Sequence, residues 1–282
     1  MQLRQAQRNK AKIKMALAGP SGSGKTKSSL LTAYGLCGCW NKIAIIDTEN
    51  NSADLYADLG PYQVLTLSPP FTTEKYINAI ITCQQKGIEA IIIDSITHEW
   101  EYILDIHGNM TGNSYTNWNK VTPMHNSFVQ AILQSPVHVI STIRTKQDYV
   151  LTEKNGKMVP EKVGMKAITR EGMDYEFTLV LDLDMKNQAT ASKDRTGLFM
   201  NKPPVIITPD MGIEILEWCN QGSTDPKVNL PPDLTDKINN CKSIDELLDL
   251  YMKSPENQQS HLQEFTTQRQ RLSQLGTNIN NQ

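Results

Sequence analysis

The chain has 282 residues, a formal net charge of −2 and 39% hydrophobic residues. This length accommodates one large α/β core with a small appendage, and no apolar run approaches the roughly 20 residues needed to cross a bilayer. The polar opening Met1–Lys14 does not fit a secretory signal and the five cysteines lack metal-type spacing, so a reducing, cytoplasmic setting is expected.

Residues 1–11 read as a basic N-terminal arm or as a solvated lead-in. No Asp or Glu precedes Asp47, while Arg4, Arg8, Lys10, Lys12 and Lys14 crowd the first strand. From Ile13 to about Leu183, short apolar runs alternate with helical patterns, which predicts a mostly parallel central sheet with helices on both faces. Strands are expected at Ile13–Ala18, Ile43–Asp47, Gln63–Leu67, Ala90–Asp94, Val137–Ile143 and Phe177–Leu183. Helices are expected near Thr26–Leu36, Ser52–Leu59, Glu74–Gln85, Ile96–Ile106 and Thr122–Gln134. Asn155-Gly156 within Tyr149–Val163 signals a β-hairpin or a mobile loop, and Asp184–Phe199 reads as two antiparallel strands turning near Met185-Lys186-Asn187. This core is expected to span 12–222, followed by a Pro-bearing linker over 223–233. A small helical region over 234–275 follows, with Ile244, Leu247, Leu248 and Tyr251 at helical spacing, and then a polar, disordered tail over 276–282.

Between the first strand and the first helix lies Gly19-Pro20-Ser21-Gly22-Ser23-Gly24-Lys25-Thr26, a complete phosphate-binding loop. Its glycines let the backbone curl so that N–H groups point inward, and the helix that follows adds its N-terminal partial positive charge. Lys25 can reach the β- and γ-phosphates, and the Thr26 hydroxyl suits a Mg²⁺ ion that bridges them. Nucleoside triphosphate binding is the function this motif implies.

Two strand ends supply carboxylates. Asp94 closes the apolar run Ala90–Ile93 and is the expected anchor beside Mg²⁺. Beyond the second strand, Glu49 is the favoured residue to orient an attacking water, with Asp47 its competitor; either could instead cap the helix starting near Ser52.

The stretch Ile45-Ile46-Asp47-Thr48-Glu49-Asn50-Asn51-Ser52-Ala53-Asp54-Leu55-Tyr56-Ala57 resembles the corresponding segment of RecA-type recombinases, in which the Glu after the second strand activates water. Asp94-Ser95 is similar to that family's Walker B end, and Ile140–Arg144 to its γ-phosphate-sensing strand. Ser192–Gly197 is similar to its late basic segment. More narrowly, Ala11-Lys12-Ile13 through Lys25-Thr26, Tyr175-Glu176-Phe177 and Lys193–Gly197 resemble phage-encoded AAA-type, RecA-like nucleotide-binding proteins, some of which anneal single strands. The resemblance spans roughly Lys10 to Gly222. It implies an α/β RecA-like P-loop NTPase with a late antiparallel extension, ATP and Mg²⁺ as cofactors, and assembly into a ring or filament. It also implies a place in the host cell cytoplasm. Thr142 stands where RecA proteins carry a Gln that senses γ-phosphate; its shorter hydroxyl is expected to bind a phosphate oxygen or a water of the nucleotide, while phosphate-to-DNA coupling through this position is left open. Lys193 and Arg195 are then expected to complete the ATP site of a neighbouring protomer.

The resemblance also marks two DNA-facing loops. The first, His107–Lys120, carries Tyr115 and Trp118 for base stacking and Lys120 for phosphate, although aromatics beside a helix start also serve packing. The second, Lys146–Gly172, carries Lys162, Lys166 and Arg170 among nearly balancing acids. His98 and His107 are nine positions apart, too far for two ligands on adjacent turns, and are expected to pack or face solvent; Cys37 and Cys39 are expected to be small buried residues.

The expected function is therefore Mg²⁺-dependent ATP hydrolysis coupled to single-stranded DNA in recombination or annealing, with a single-strand-binding protein as a further candidate partner and no membrane. The alternatives are a nucleotide-dependent loader or scaffold with little turnover, and a P-loop small-molecule kinase.

Overall fold

A computed structural model describes residues 11–154, 157–221, 238, 241–253 and 262–277. The expected basic arm up to Lys10, the expected linker 223–233, the pair Asn155-Gly156 and the expected tail beyond Thr277 lie outside the described residues. The chain divides into two compact units, Met1–Gly222 and Ser223–Gln282.

In the first unit a nine-stranded sheet runs in the order β3-β2-β4-β5-β1-β7-β8-β9, with β6 paired to β5 alone. Its strands are β1 (Lys14–Gly19), β2 (Ile43–Asp47), β3 (Gln63–Thr66), β4 (Ala90–Asp94), β5 (His138–Lys154), β6 (Lys157–Ala167), β7 (Leu179–Leu183), β8 (Gln188–Asp194) and β9 (Val205–Ile206). The block from β3 to β7 is parallel, and β7, β8 and β9 pair antiparallel. Strands β1, β2 and β4 are buried along their whole length, as a sheet covered on both faces requires.

Alternate residues of these strands feed two cores. Met15, Leu17, Ile45, Ile92 and Ile140 meet helices α1 (Lys25–Cys37) and α6 (Pro209–Asn220) on one face. Ala16, Ile46, Ile91, Ile93 and Val139 meet α2 (Thr73–Gln85) and α4 (Ser114–Leu133) on the other, where α3 (Thr97–Asn109) packs on α4. Helices α1 and α6 cross at a pair of glycines. A Cβ on Gly35 would sit 2.0 Å from the Pro209 carbonyl oxygen, and one on Gly212 would sit 2.2 Å from that of Thr32, so only glycine permits this approach.

Several expectations change in detail. The segment Ser52–Leu59 is 3-10 rather than α-helical. Helix α4 begins eight residues before the expected Thr122, because Asn113 caps it by accepting from the Tyr115 N–H at 2.8 Å. The polar, aromatic stretch read as a loop is therefore mostly helix, and Pro123 lies inside it. The expected antiparallel pair within Asp184–Phe199 is instead β7 with β8, because the 184–187 turn directly follows β7. Strand β5 does not stop at Ile143 but continues past the sheet as one arm of a long hairpin with β6. The short helix α5 (Met173–Glu176), together with β9 and α6, is unanticipated. Cys37 is half-buried and Cys39 exposed, since Gly38 ends α1 in a left-handed turn that carries the chain away from the core.

The second unit contains α7 (Ile244–Met252) and α8 (Leu262–Thr277). Ser243 caps α7 by accepting from the Glu246 N–H at 3.2 Å, and Glu246 accepts in return from the Lys242 N–H at 2.8 Å. Ile238, Leu247 and Phe265 form its core, with Tyr251 edge-on to Phe265 at 5.0 Å.

Candidate nucleotide site

The phosphate loop joins β1 to α1. Gly24 adopts φ +78°, a left-handed conformation that tips the chain into the helix. No side chain caps the first turn of α1, so its N–H groups are free to meet an anion. Lys25 is 9% exposed and donates to the Gly19 and Pro20 carbonyl oxygens at 2.9 and 2.8 Å. Burial lowers its pKa, against the opposing pull of Asp94 and Glu49. On the other side of the loop, the Asn187 side-chain amide donates to the Gly22 carbonyl at 3.4 Å, so the β7–β8 turn braces it.

Asp94 ends β4, two strands from β1, and is 1% exposed. Thr26 Oγ1 donates to its Oδ2 and Thr142 Oγ1, from the intervening β5, to its Oδ1, each at 2.5 Å. Burial raises the Asp94 pKa despite these two hydroxyls, and the nearby Glu49 charge adds to the rise. The end of β4 is itself clamped: Thr48 Oγ1 lies 3.1 Å from the Asp94 carbonyl oxygen and 2.7 Å from His98 Nδ1, and Tyr76 donates to the Ser95 carbonyl at 2.9 Å. His98 also stacks on Phe71, with centroids 4.9 Å apart.

Asp47 and Glu49 divide their expected roles. Asp47 is fully buried and accepts from the Glu49 N–H at 2.6 Å and the Ala53 N–H at 2.9 Å, which fixes the turn after β2. Glu49 is turned inward to a two-pronged bond with Arg144, whose Nε lies 2.7 Å from Oε1 and whose Nη2 meets Oε2. Burial alone would raise the Glu49 pKa, but the Arg144 hydrogen bonds and charge outweigh it and hold the carboxyl below the usual range.

Thr26 and Asp94 present hard oxygen donors at one point beside the loop, which fits Mg²⁺ with its remaining ligands drawn from phosphate and water. Among the described residues no group of three or more His, Cys, Asp or Glu side chains is arranged for a metal. The structure thus gathers Gly19–Thr26, Glu49, Asp94 and Thr142 in one place, with Thr142 directed at Asp94.

Lys193 and Arg195 lie elsewhere. Asp194 pairs with Leu179 while the loop sits by Leu183, four residues and roughly 13 Å along β7. Lys193 donates to the Asp174 carbonyl at 2.9 Å and to that of Tyr175, and Arg195 reaches the latter at 3.4 Å. Asp194 does not pair with them; it accepts from the N–H groups of Thr196, Gly197, Phe199 and Met200, and so ties down the following loop.

Of the remaining candidates, Tyr115 is 81% exposed on the first turn of α4 and Lys120 is exposed on the same helix. Trp118 is half-buried and stacked against His107 at 4.0 Å and Trp100 at 5.9 Å. Lys166 is exposed on β6, and Arg170 donates to Asn126 of α4 at 3.1 Å. Lys162 stands on β6 opposite Tyr149, but its side chain lies outside the described residues.

Arg144 is the site residue that sequence reasoning missed. Its signal was strand parity: two positions after Thr142, it falls on the same face of β5, and it stands beside Gly19 in the register.

A family model described as an AAA domain matches residues 11–206, well over half of the chain, and the chain belongs to that family. Its nucleotide-binding character agrees with the geometry of the loop. No curated protein matches the chain. No helix among the described residues is long and apolar enough to cross a membrane.

Proposed function

We propose that the chain is a RecA-like, Mg²⁺-dependent ATPase of phage origin that assembles as a homo-oligomer and acts on single-stranded DNA in recombination or annealing. One observation carries the hydrolytic part: Lys25, Thr26, Asp94 and Glu49 converge on the phosphate loop, with a third strand, β5, lying between the two that hold the loop and Asp94. The loop N–H groups and Lys25 hold the β- and γ-phosphates. Bound Mg²⁺ would draw charge from the same oxygens and from the leaving group. Glu49 orients a water whose oxygen attacks the terminal phosphorus as the bond to the bridging oxygen breaks, and it receives the water's proton.

Lys193 and Arg195 are too far along β8 to serve their own loop, which favours service to the loop of a neighbouring protomer. Exposed Tyr115, Lys120 and Lys166 are the side chains best suited to bases and phosphates, while Trp118 is committed to packing. A single-strand-binding protein remains a candidate partner.

The kinase reading fares worse. A cleft of about 480 Å³ opens beside Gly19 and Pro20, but among the described residues its lining includes Asp182 and Asp184 and no lysine or arginine that could close on an anionic acceptor. Phosphate release from Mg-ATP, with and without single-stranded DNA, tests the proposal. Stimulation by DNA supports it; turnover that requires a small-molecule acceptor would favour the kinase, and negligible turnover in both conditions would favour the scaffold.

A further inference from the structure

The candidate base is not free in this structure. Arg144 engages both carboxylate oxygens of Glu49, the arrangement in which guanidinium and carboxylate bind one another best. The same residue belongs to the neighbourhood of the phosphate loop. Arg144 pairs in register with Gly19, the first residue of the phosphate loop, and Lys25, Asp94, Glu49 and Arg144 all act on one another electrostatically. Thr142, on the same strand face, is already committed to Asp94. The backbone of Arg144 is pinned from two sides: its N–H donates to Thr97 Oγ1 at 3.0 Å, and its carbonyl accepts from Ile168 at 2.8 Å. The backbone is thereby held in place, while the side chain is 38% exposed.

We propose that Arg144 is a terminal-phosphate ligand that distinguishes a nucleoside triphosphate from a diphosphate by exchanging Glu49 for the γ-phosphate, and that this exchange releases Glu49 to hold water. The inference rests on the assignment of the loop and Glu49 made above. A guanidinium makes the same forked bonds to phosphate oxygens as to a carboxylate, so a γ-phosphate at the mouth of the loop competes directly with Glu49. A diphosphate ends one phosphate short and leaves the pair closed. In the empty or product-loaded site the base is therefore withheld from water, and it is freed only when there is a bond to cleave.

The test is equilibrium binding of Mg-ADP and of a non-hydrolysable Mg-ATP analogue to the full chain and to Arg144→Ala, Arg144→Lys, Glu49→Ala and the Glu49→Ala/Arg144→Ala double variant. Arg144→Ala should weaken the analogue about tenfold while ADP changes by about twofold or less. Arg144→Lys, with its charge but not its fork, should fall between. Glu49→Ala removes the competitor and should tighten the analogue several-fold more than ADP, a gain that the double variant loses. Equal loss of both nucleotides in Arg144→Ala would indicate general damage and overturn the proposal, as would unchanged analogue affinity in Glu49→Ala. If the unaltered chain bound neither nucleotide, the site assignment would fail and the exchange with it. Binding without turnover would count against hydrolysis alone and leave the exchange to be decided by these affinities.

Discussion

Thr142 and Asp94 are joined across neighbouring strands by a 2.5 Å hydrogen bond, in which the threonine hydroxyl serves a buried carboxylate. Thr26 serves the other oxygen from the phosphate loop, so the carboxylate ties the loop to β4 and β5 at once. Thr142→Val should leave one oxygen of Asp94 unpaired and lower stability by about 1–3 kcal/mol, whereas Thr142→Ser should cost less. Denaturant unfolding at constant m-value checks this.

The same buried carboxylate sets a pH dependence. Burial raises the Asp94 pKa above its unfolded value, so between the two values the folded state holds more protons. Asp94 therefore favours the nucleotide-free fold below its unfolded pKa, and that contribution is lost as pH rises through the folded pKa. Asp94→Asn should accordingly raise the neutral-pH stability of the nucleotide-free chain by on the order of 1 kcal/mol while removing Mg²⁺-dependent turnover, a trade expected where a site is strained for function. Unfolding curves of the two chains, followed upward from below pH 4, would show the gain growing with pH.

Glycine at position 35 is a packing requirement. Gly35→Ala would place a methyl group 2.0 Å from the Pro209 carbonyl oxygen and should cost about 3 kcal/mol or more as α1 and α6 separate. A lowered unfolding midpoint measures it, and weakened nucleotide binding should follow because α1 carries the loop.

Trans completion predicts complementation. Lys193→Ala and Lys25→Ala, each deficient alone, should recover phosphate release when mixed, because some mixed interfaces pair an intact loop with an intact basic pair. No recovery over a range of mixing ratios would argue against completion of the site between protomers.

The parts of the site that depend on backbone or on strand ends were legible from residue order. The phosphate loop works through main-chain N–H groups, so its glycines and Lys25 mark it directly, while Asp94 closes an easily recognised apolar run and Glu49 follows two residues after another. What pairs across strands was not legible. The Arg144–Glu49 fork joins residues 95 positions apart, and it depends on β5 lying between β4 and β1, an order that no local pattern encodes. The division of labour between Asp47 and Glu49 likewise appeared only with the 3-10 segment that Asp47 holds. The early start of α4 carries little signal because Ser114–Lys120 is polar and aromatic, and Asn113 suits a loop as well as a helix cap. The α1–α6 crossing at Gly35 and Gly212 needs two helices nearly 180 residues apart and carries no local signal.

In the proposed reaction Glu49 activates water at a phosphate loop anchored by Lys25. The measurement that bears on it most directly is single-turnover phosphate release from Mg-ATP by the unaltered chain and by Glu49→Gln, with nucleotide binding measured on both. Glu49→Gln should lose about 10²–10⁴ in rate with triphosphate binding retained; a Glu49→Gln chain that binds and hydrolyses at the unaltered rate would exclude Glu49 as the base.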